Sequence, residues 1–277
     1  GRLKALQKRG GKVVVVDPRR TETAKMADEH HFVRPGTDVY LLLAIAQVLF
    51  EELLVAPGKL DPILDGKKDL ARLVVNWTPE KVAETVGMTA GAIRKLARDI
   101  AGAPRAAIYS RVGVTTSAHS TLSAWLVYLI NILTGNLDRE GGVMFTKPAF
   151  DIVALGALSG DTGSFDRYRS RVHGYPEFGG EFPVTTLADE MLTPGKGQVK
   201  AFVSHAGNPV LSCPDGQKLD QALNNLDFMV SIDFYINETT RHADIILPPT
   251  GQLEHAQFDP IFQAVAVRNV VKFTPPL

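Results

Sequence analysis

The stretch VVVVDPRRTETAKMADEHHFVRPGTD, from Val13 to Asp38, decides the fold class. Its opening run of β-branched residues is bounded by Gly10-Gly11 and by Asp17-Pro18, the signature of a strand buried in a parallel sheet. An acidic turn follows, then a short helix over TETAKMAD started by Thr21 or Thr23, then a polar loop. Thr37 or Asp38 caps the longer helix VYLLLAIAQVLFEELL. Part of this pattern returns from Met229, where the chain reads MVSIDFYINETTRHADIILPPTG. Aligning Asp17 with Asp233 places Glu22-Thr23 on Glu238-Thr239 and Ala27-Asp28 on Ala243-Asp244 without a gap. Two strands that end alike imply two versions of one binding solution.

Outward from that repeat, residues 56–76 read as a loop and an amphipathic segment, and TPEKVAETVGM and TAGAIRKLARDIAGA as two helices. RAAIYSRVG reads as a buried strand delivering a glycine-containing loop. From Ser117, SAHSTLSAWLVYLINILTG is a helix ended by Gly135. A long irregular excursion, rich in Gly, Pro, Asp and Arg, is expected over 138–195. Strands are then expected at VKAFVSH, DFMVSIDF and HADIILP, with a helix at DGQKLDQALNNL and a last strand within Val265–Phe273. The order of elements is that of an α/β fold with Rossmann-like parallel-sheet layers.

The 277 residues suffice for one large or two ordinary domains. Thirty basic residues balance thirty acidic ones, without the basic excess of a nucleic-acid surface. The single cysteine, Cys213, excludes an intrachain disulfide framework and a cluster held by this segment's own thiolates. LLLAIAQVLF and AWLVYLINIL are too short to span a bilayer. No signal peptide is visible, and GRLKALQKRGGK reads as the back half of a surface helix. The chain is therefore expected to be an internal piece of a longer protein. Its location is not written in these residues; a cytoplasmic one is the default, with any export signal upstream.

An acidic side chain just past the C-terminal end of a parallel strand can accept bonds from ribose hydroxyls or from a guanine edge. Asp17 and Asp233 both occupy that position, and each can equally accept backbone N–H bonds in the turn that follows it. No G-x-G-x-x-G fingerprint is present, which argues against an ordinary NAD- or flavin-binding domain. RVGVTTS and SHAGNP are the loops with small residues that could cradle phosphate. Arg19 and Arg20 fit a phosphate contact or a solvated turn, and Asp38 a ligand contact or a helix cap. His30 and His31 are not spaced as a metal pair, and His119, His205 and His242 read as structural singles. Cys213 reads as a small buried residue, and Glu254-His255 has the composition of an acid/base pair without a defined geometry. The residues describe a nucleotide or dinucleotide binder with two related half-sites and no self-sufficient catalytic constellation.

Four stretches together resemble the catalytic subunits of the molybdopterin oxidoreductase family, which includes formate dehydrogenases, nitrate reductases and dimethyl sulfoxide reductases. They are VVVVDPRRTETAKMADEHHFVRPGTD, INILTGNLDREGG, HAGNP and IDFYINETTRHADIILPP. The resemblance implies molybdenum or tungsten held between two pterin guanine dinucleotides, one on each of two pseudo-symmetric α/β domains. It implies that Asp17 and Asp38, with Arg19 nearby, hold one guanosine end. Asn208 and Asp233 would lie against the other dinucleotide, and Gly113, Val114 and Thr115 near the pterin and metal. Residues 1–112 would then be the later part of the third domain and 113–277 the returning part of the second. The metal ligand and an optional iron-sulfur cluster would lie outside this chain. The implied activity is two-electron redox on a small substrate, formate-dehydrogenase-like or oxo transfer, with an electron-transfer subunit as a candidate partner. Thr116 stands where a glutamine is common, and LEHAQFDPIF departs from the family's usual tail, keeping only Glu254. Those departures motivate the alternative of a noncatalytic scaffold domain without cofactor.

Overall fold

The computed structural model describes residues 1–160 and 163–275. The chain forms an α/β fold with parallel sheet elements and divides into two compact units, Gly1–Phe145 and Thr146–Leu277.

In the first unit, α1 (Arg2–Lys8) leads into β1 (Val14–Val16), α2 (Glu22–Met26) and β2 (Glu29–His31), and β1 and β2 pair in parallel. The polar loop expected after α2 is thus itself a strand. Its sequence, Glu-His-His, shows no apolar alternation because it is only half-buried. The helix α3 (Asp38–Glu51) is apolar nearly all round and becomes the centre of the unit, with Leu49, Val48 and Ala44 wholly buried. Thr37 occupies its N-cap, but the hydroxyl donates back to the Arg34 carbonyl at 2.6 Å instead of capping the helix. α4 (Lys67–Val74) follows. α5 (Pro79–Val86) and α6 (Ala90–Gly102) start as the sequence requires, with Thr78 and Thr89 accepting from the N–H of Lys81 and Ala92. The short helix α7 (Val112–Thr115) and α8 (Ser120–Leu133) complete the unit. Leu126, Ile130 and Leu133 of α8 join the core made by α3, α5 and α6.

The strand expected at RAAIYSRV joins no ladder among the described residues. Its backbone is satisfied by side chains of α8 and the turn beyond it. Buried Asn131 receives the Ile108 N–H at 3.0 Å and donates to the Ile108 carbonyl at 3.0 Å, and Asn136 receives the Ala106 N–H at 3.0 Å. An amide side chain offers one acceptor and one donor in a plane, so it can replace a neighbouring strand's peptide group. The turn holding Asn136 is tight. A Cβ at Gly142 would collide with the Asn136 carbonyl oxygen, and Gly135 sits at φ 66° against the Ala56 carbonyl. These bonds tie 105–111 to α8 within the first compact unit.

In the second unit the expected excursion is more regular than its composition suggests. It contains α9 (Ile152–Leu158), the antiparallel pair β3 (Phe165–Arg169) and β4 (Pro176–Phe178), and α10 (Leu187–Leu192). Residues 161 and 162 of that excursion lie outside the described residues. β5 (Ala201–His205), α11 (Pro209–Ser212), α12 (Gly216–Asn224), β6 (Phe228–Ile232) and β7 (Ile245–Ile246) then build a parallel sheet in the order β5-β6-β7. Its core gathers Met191 of α10, Leu219, Ala222 and Leu223 of α12, and Met229 of β6, with Cys213 packed at the margin. The last strand expected within Val265–Phe273 does not form. α13 (Pro260–Ala264) is followed only by a single antiparallel bridge between Gln257 and Lys272.

Asn131→Leu tests the side-chain ladder. It keeps the branched shape but leaves the Ile108 N–H and carbonyl without their partner, and should cost about 3 kcal/mol. The expected outcome is a lower urea midpoint with an unchanged slope.

Candidate functional site

The repeat in sequence is a repeat in structure, down to single hydrogen bonds. β1 pairs β2 with Val14 opposite Glu29 and Val15 opposite His30; β6 pairs β7 with Val230 opposite Ile245 and Ser231 opposite Ile246, an offset of 216 throughout. At the foot of the first pair, the Asp28 carboxylate accepts the Val13 N–H at 2.7 Å while the Asp28 N–H donates to the Val13 carbonyl at 2.8 Å. Asp244 and Met229 make the same reciprocal pair at 2.7 and 2.9 Å. Between the strands, Thr21 accepts the Ala24 N–H at 3.2 Å, and Asn237 at the equivalent place accepts the Thr240 N–H at 3.0 Å. Sequence comparison aligned Asp28 with Asp244 but gave no reason for it. The reason is this two-point closure of the strand pair.

The closure presents the far end of each strand. Asp17 Oδ1 accepts the Arg19 N–H at 2.7 Å, and Asp233 Oδ1 accepts the N–H groups of Phe234 and Tyr235 at 2.7 and 3.2 Å. Both aspartates therefore do hold the following turn, and each does so with a single carboxylate oxygen. The Asp17 carbonyl meets His30 Nε2 at 3.0 Å, and that ring lies 4.4 Å from Phe32. Asp38 is half-buried at the first turn of α3. Burial pushes its carboxyl up from the usual range, and the neighbouring charge of Asp17 adds to the shift. Asp17 is thus near enough for its charge to act on Asp38, while Arg19 is exposed.

In the second unit, Asn208 stands at the end of the loop after β5 and knits it to the loop after β6. Its Nδ2 donates to Glu238 at 2.7 Å, its Oδ1 accepts from the Thr239 hydroxyl at 2.7 Å, and that hydroxyl accepts the Val210 N–H at 3.1 Å. The Asn208 amide holds the Glu238 carboxyl below its ordinary range. Phe234 and Tyr235 are exposed and stack edge to face, their centroids 4.7 Å apart. Sequence reasoning missed Glu238, Thr239 and this aromatic pair; the coincidence of Glu-Thr in both repeats was the available signal.

Gly113, Val114 and Thr115 lie in α7, where Thr115 and Thr116 donate to the Val112 carbonyl at 3.2 and 2.9 Å. Nothing lies within 4 Å of a Cβ placed on Gly113. No hydrogen bond among the described residues joins these three to Asp17 or Asp38. His242 is tied to Asp220 at 2.7 Å, in keeping with a structural role. Glu254 and His255 both turn to the Gly251 backbone, at 2.5 and 3.0 Å. Among the described residues no three His, Cys, Asp or Glu side chains cluster to hold a metal, and no helix is long and apolar enough to cross a membrane.

The α/β scaffold with parallel sheet elements thus carries an acidic strand end and a polar loop at each of two places. The family model described as Molybdopterin oxidoreductase matches residues 2–259, and the chain belongs to that family. The F420-dependent formate dehydrogenase subunit alpha of Methanocaldococcus jannaschii is 29% identical over 255 residues, covering 89% of this chain and 38% of that protein. Acetylene hydratase of Syntrophotalea acetylenica is 29% identical over 295 residues, covering 96% and 40%. The solved structure of acetylene hydratase from Pelobacter acetylenicus matches with a TM-score of 0.78 at 27% identity, over 93% of this chain and 39% of that one. The chain spans about two-fifths of the length of these relatives.

A charge network anchors the foot of β2. Glu29 pairs with Lys12 at 2.6 Å and with Lys95 of α6 at 3.0 Å, and these lysines, Lys12 first, hold its carboxyl down at about 2. A depressed carboxylate contributes stability that is present above its ordinary value of 4.5 and lost as pH falls toward 2. Glu29→Gln is expected to flatten the decline of the thermal midpoint across that window, measured from pH 5 downward. Asp28→Ala and Asp244→Ala should each speed amide exchange at the strand they close, Val13 or Met229, without affecting the other.

Proposed function

We propose that these residues form part of the cofactor-holding body of a molybdenum or tungsten oxidoreductase carrying two pterin guanine dinucleotides. The observation that carries the reading is the twin strand–turn–strand unit, whose hydrogen bonds repeat at one offset and whose two ends each offer an aspartate with one carboxylate oxygen outside the turn. The donor set fits the nucleotide ends of such a group. A carboxylate accepts two parallel bonds from a guanine edge or from ribose hydroxyls, and Asp17 with half-buried Asp38 offers that acceptor surface. The exposure of Arg19 supports a phosphate contact, and the open space at Gly113 supports close approach of a ligand to the backbone. Asn208 orients the loop beside Asp233 through Glu238 and Thr239.

On this reading residues 1–112 belong to the third domain and 113–277 to the second, two pseudo-symmetric dinucleotide domains. The bound group supplies two-electron redox chemistry on a small substrate, formate-dehydrogenase-like or oxo transfer. The residues of this chain bind and orient its nucleotide ends, and none is assigned to the metal. Formate dehydrogenases among the relatives favour that substrate class, and an electron-transfer subunit is the partner the chemistry calls for.

The deciding measurement is metal and pterin analysis of the full-length protein from a host that makes the cofactor. About one Mo or W and about two guanine nucleotides per chain are expected. Asp17→Asn combined with Asp38→Asn should lower the guanine content toward one. Because Asp38 is raised by burial, retention of that guanine should weaken on acidification at a higher pH than an ordinary carboxylate gives, and Asp38→Asn should abolish the effect. A folded protein with neither metal nor pterin would instead be the scaffold domain.

A further inference from the structure

The two acidic strand ends are fastened differently. At the head of β6 the Asp233 carboxylate takes two backbone bonds, from the N–H groups of Phe234 and Tyr235. At the offset of 216 that relates the two strand pairs, Phe234 corresponds to Pro18 and Tyr235 to Arg19. Proline has no N–H. Asp17 Oδ1 therefore keeps only the bond from Arg19, at 2.7 Å. The first aspartate lacks one of the two donors that orient the second.

A side chain on the neighbouring strand replaces it. His30 stands on β2 opposite Val15, and its Nε2 lies 3.0 Å from the Asp17 carbonyl oxygen. A carbonyl oxygen only accepts, so Nε2 carries the proton. The equivalent position on β7 is Ile246, opposite Ser231, and its side chain has no donor to give. The Phe32 ring, 4.4 Å away, braces the imidazole, whereas the equivalent residue in the second unit is Pro248. The Asp17 N–H is bonded to the His31 carbonyl at 3.1 Å. With its N–H, its carbonyl and Oδ1 all engaged, Asp17 has a fixed direction in which to hold out Oδ2.

We propose that His30 is a positioning residue for Asp17. It supplies the restraint that Pro18 removes, and so sets the line along which the free carboxylate oxygen meets the guanine edge or ribose hydroxyl of a bound nucleotide. The second half-site reaches the same end through Phe234 and Tyr235 and needs no histidine. The identity of the ligand rests on the cofactor reading above; the hold on Asp17 rests on geometry alone.

The test separates the ring from its donor. His30→Phe keeps a ring to pack on Phe32 and has no N–H, while His30→Gln gives up the ring and keeps an N–H donor of similar reach. Both are made in the full-length protein from a host that makes the cofactor. Amide exchange at Arg19, whose N–H bonds Asp17, should quicken about fivefold in His30→Phe, the worth of one net hydrogen bond, and stay within about twofold of wild type in His30→Gln. Exchange at Phe234 and Tyr235 should not move in either, which also shows that each variant is folded. In urea below the unfolding midpoint, one of the two guanine nucleotides should leave about fivefold faster from His30→Phe and at the wild-type rate from His30→Gln. Unchanged exchange at Arg19 in His30→Phe overturns the proposal. So does exchange as fast in His30→Gln as in His30→Phe, which would assign the effect to the packing of the ring. Quickened exchange with unaltered guanine loss overturns the role toward the ligand and leaves the cofactor reading standing. A wild-type protein without guanine overturns the cofactor reading and that role together, while exchange at Arg19, which needs no cofactor, still decides the hold on Asp17.

Discussion

A side-chain carboxylate closes the foot of each parallel strand pair, and the geometry of both candidate half-sites depends on it. Parallel strands cannot share a tight turn, so their relative register has to be fixed by something other than the connection between them. In this protein Asp28 and Asp244 do so by bonding, through side chain and backbone together, Val13 just before β1 and Met229 near the start of β6. Register fixed at the foot determines what emerges at the head. Asp17 and Asp233 leave their strands in equivalent positions, and the helical turns that follow are capped by Thr21 and Asn237 in equivalent ways. The same principle recurs wherever backbone would otherwise be orphaned. Asn131 and Asn136 stand in for a strand beside 106–108, and Asn208 with Thr239 stands in for a turn at Val210.

Much of this was legible in the sequence. The four valines, the Thr-initiated helices and the glycine at position 135 each carry a local signal strong enough to survive in the folded chain. The repeat was visible too, because it is written in residue types at fixed separations. What stayed hidden was information held by partners distant in sequence. RAAIYSRV has the composition of a strand, but pairing depends on what lies beside it, and its neighbours are two asparagine side chains. Glu-His-His has no strand composition and becomes one because the Asp28 closure lays it against β1. The glycine-rich excursion concealed a hairpin of mostly exposed residues, whose Phe165 and Phe178 rings meet 4.8 Å apart without any apolar alternation to announce them.

The candidate site was read less completely than the fold, for a related reason. Asp17 and Asp233 were identifiable from their place at a strand end. Their partial engagement in the following turn was foreseeable, whereas the pairing of Asp17 with Asp38 was implied by the resemblance and by no local pattern. Glu238 and Thr239 were passed over because a carboxylate and a hydroxyl in a polar loop carry no distinctive local pattern. Their role becomes apparent only when Asn208 is seen to join them.

The asparagine bridge also has a consequence in time. A ribosome releases residues 105–111 before it releases Asn131 and Asn136, and domains assemble largely in the order in which they are made. During that interval the run is a bare strand whose Ile108 peptide group has no native partner. Nascent α8 ends this exposure when it docks its apolar face on α3, bringing the two amides with it. The first unit therefore cannot satisfy this run before α8 has emerged.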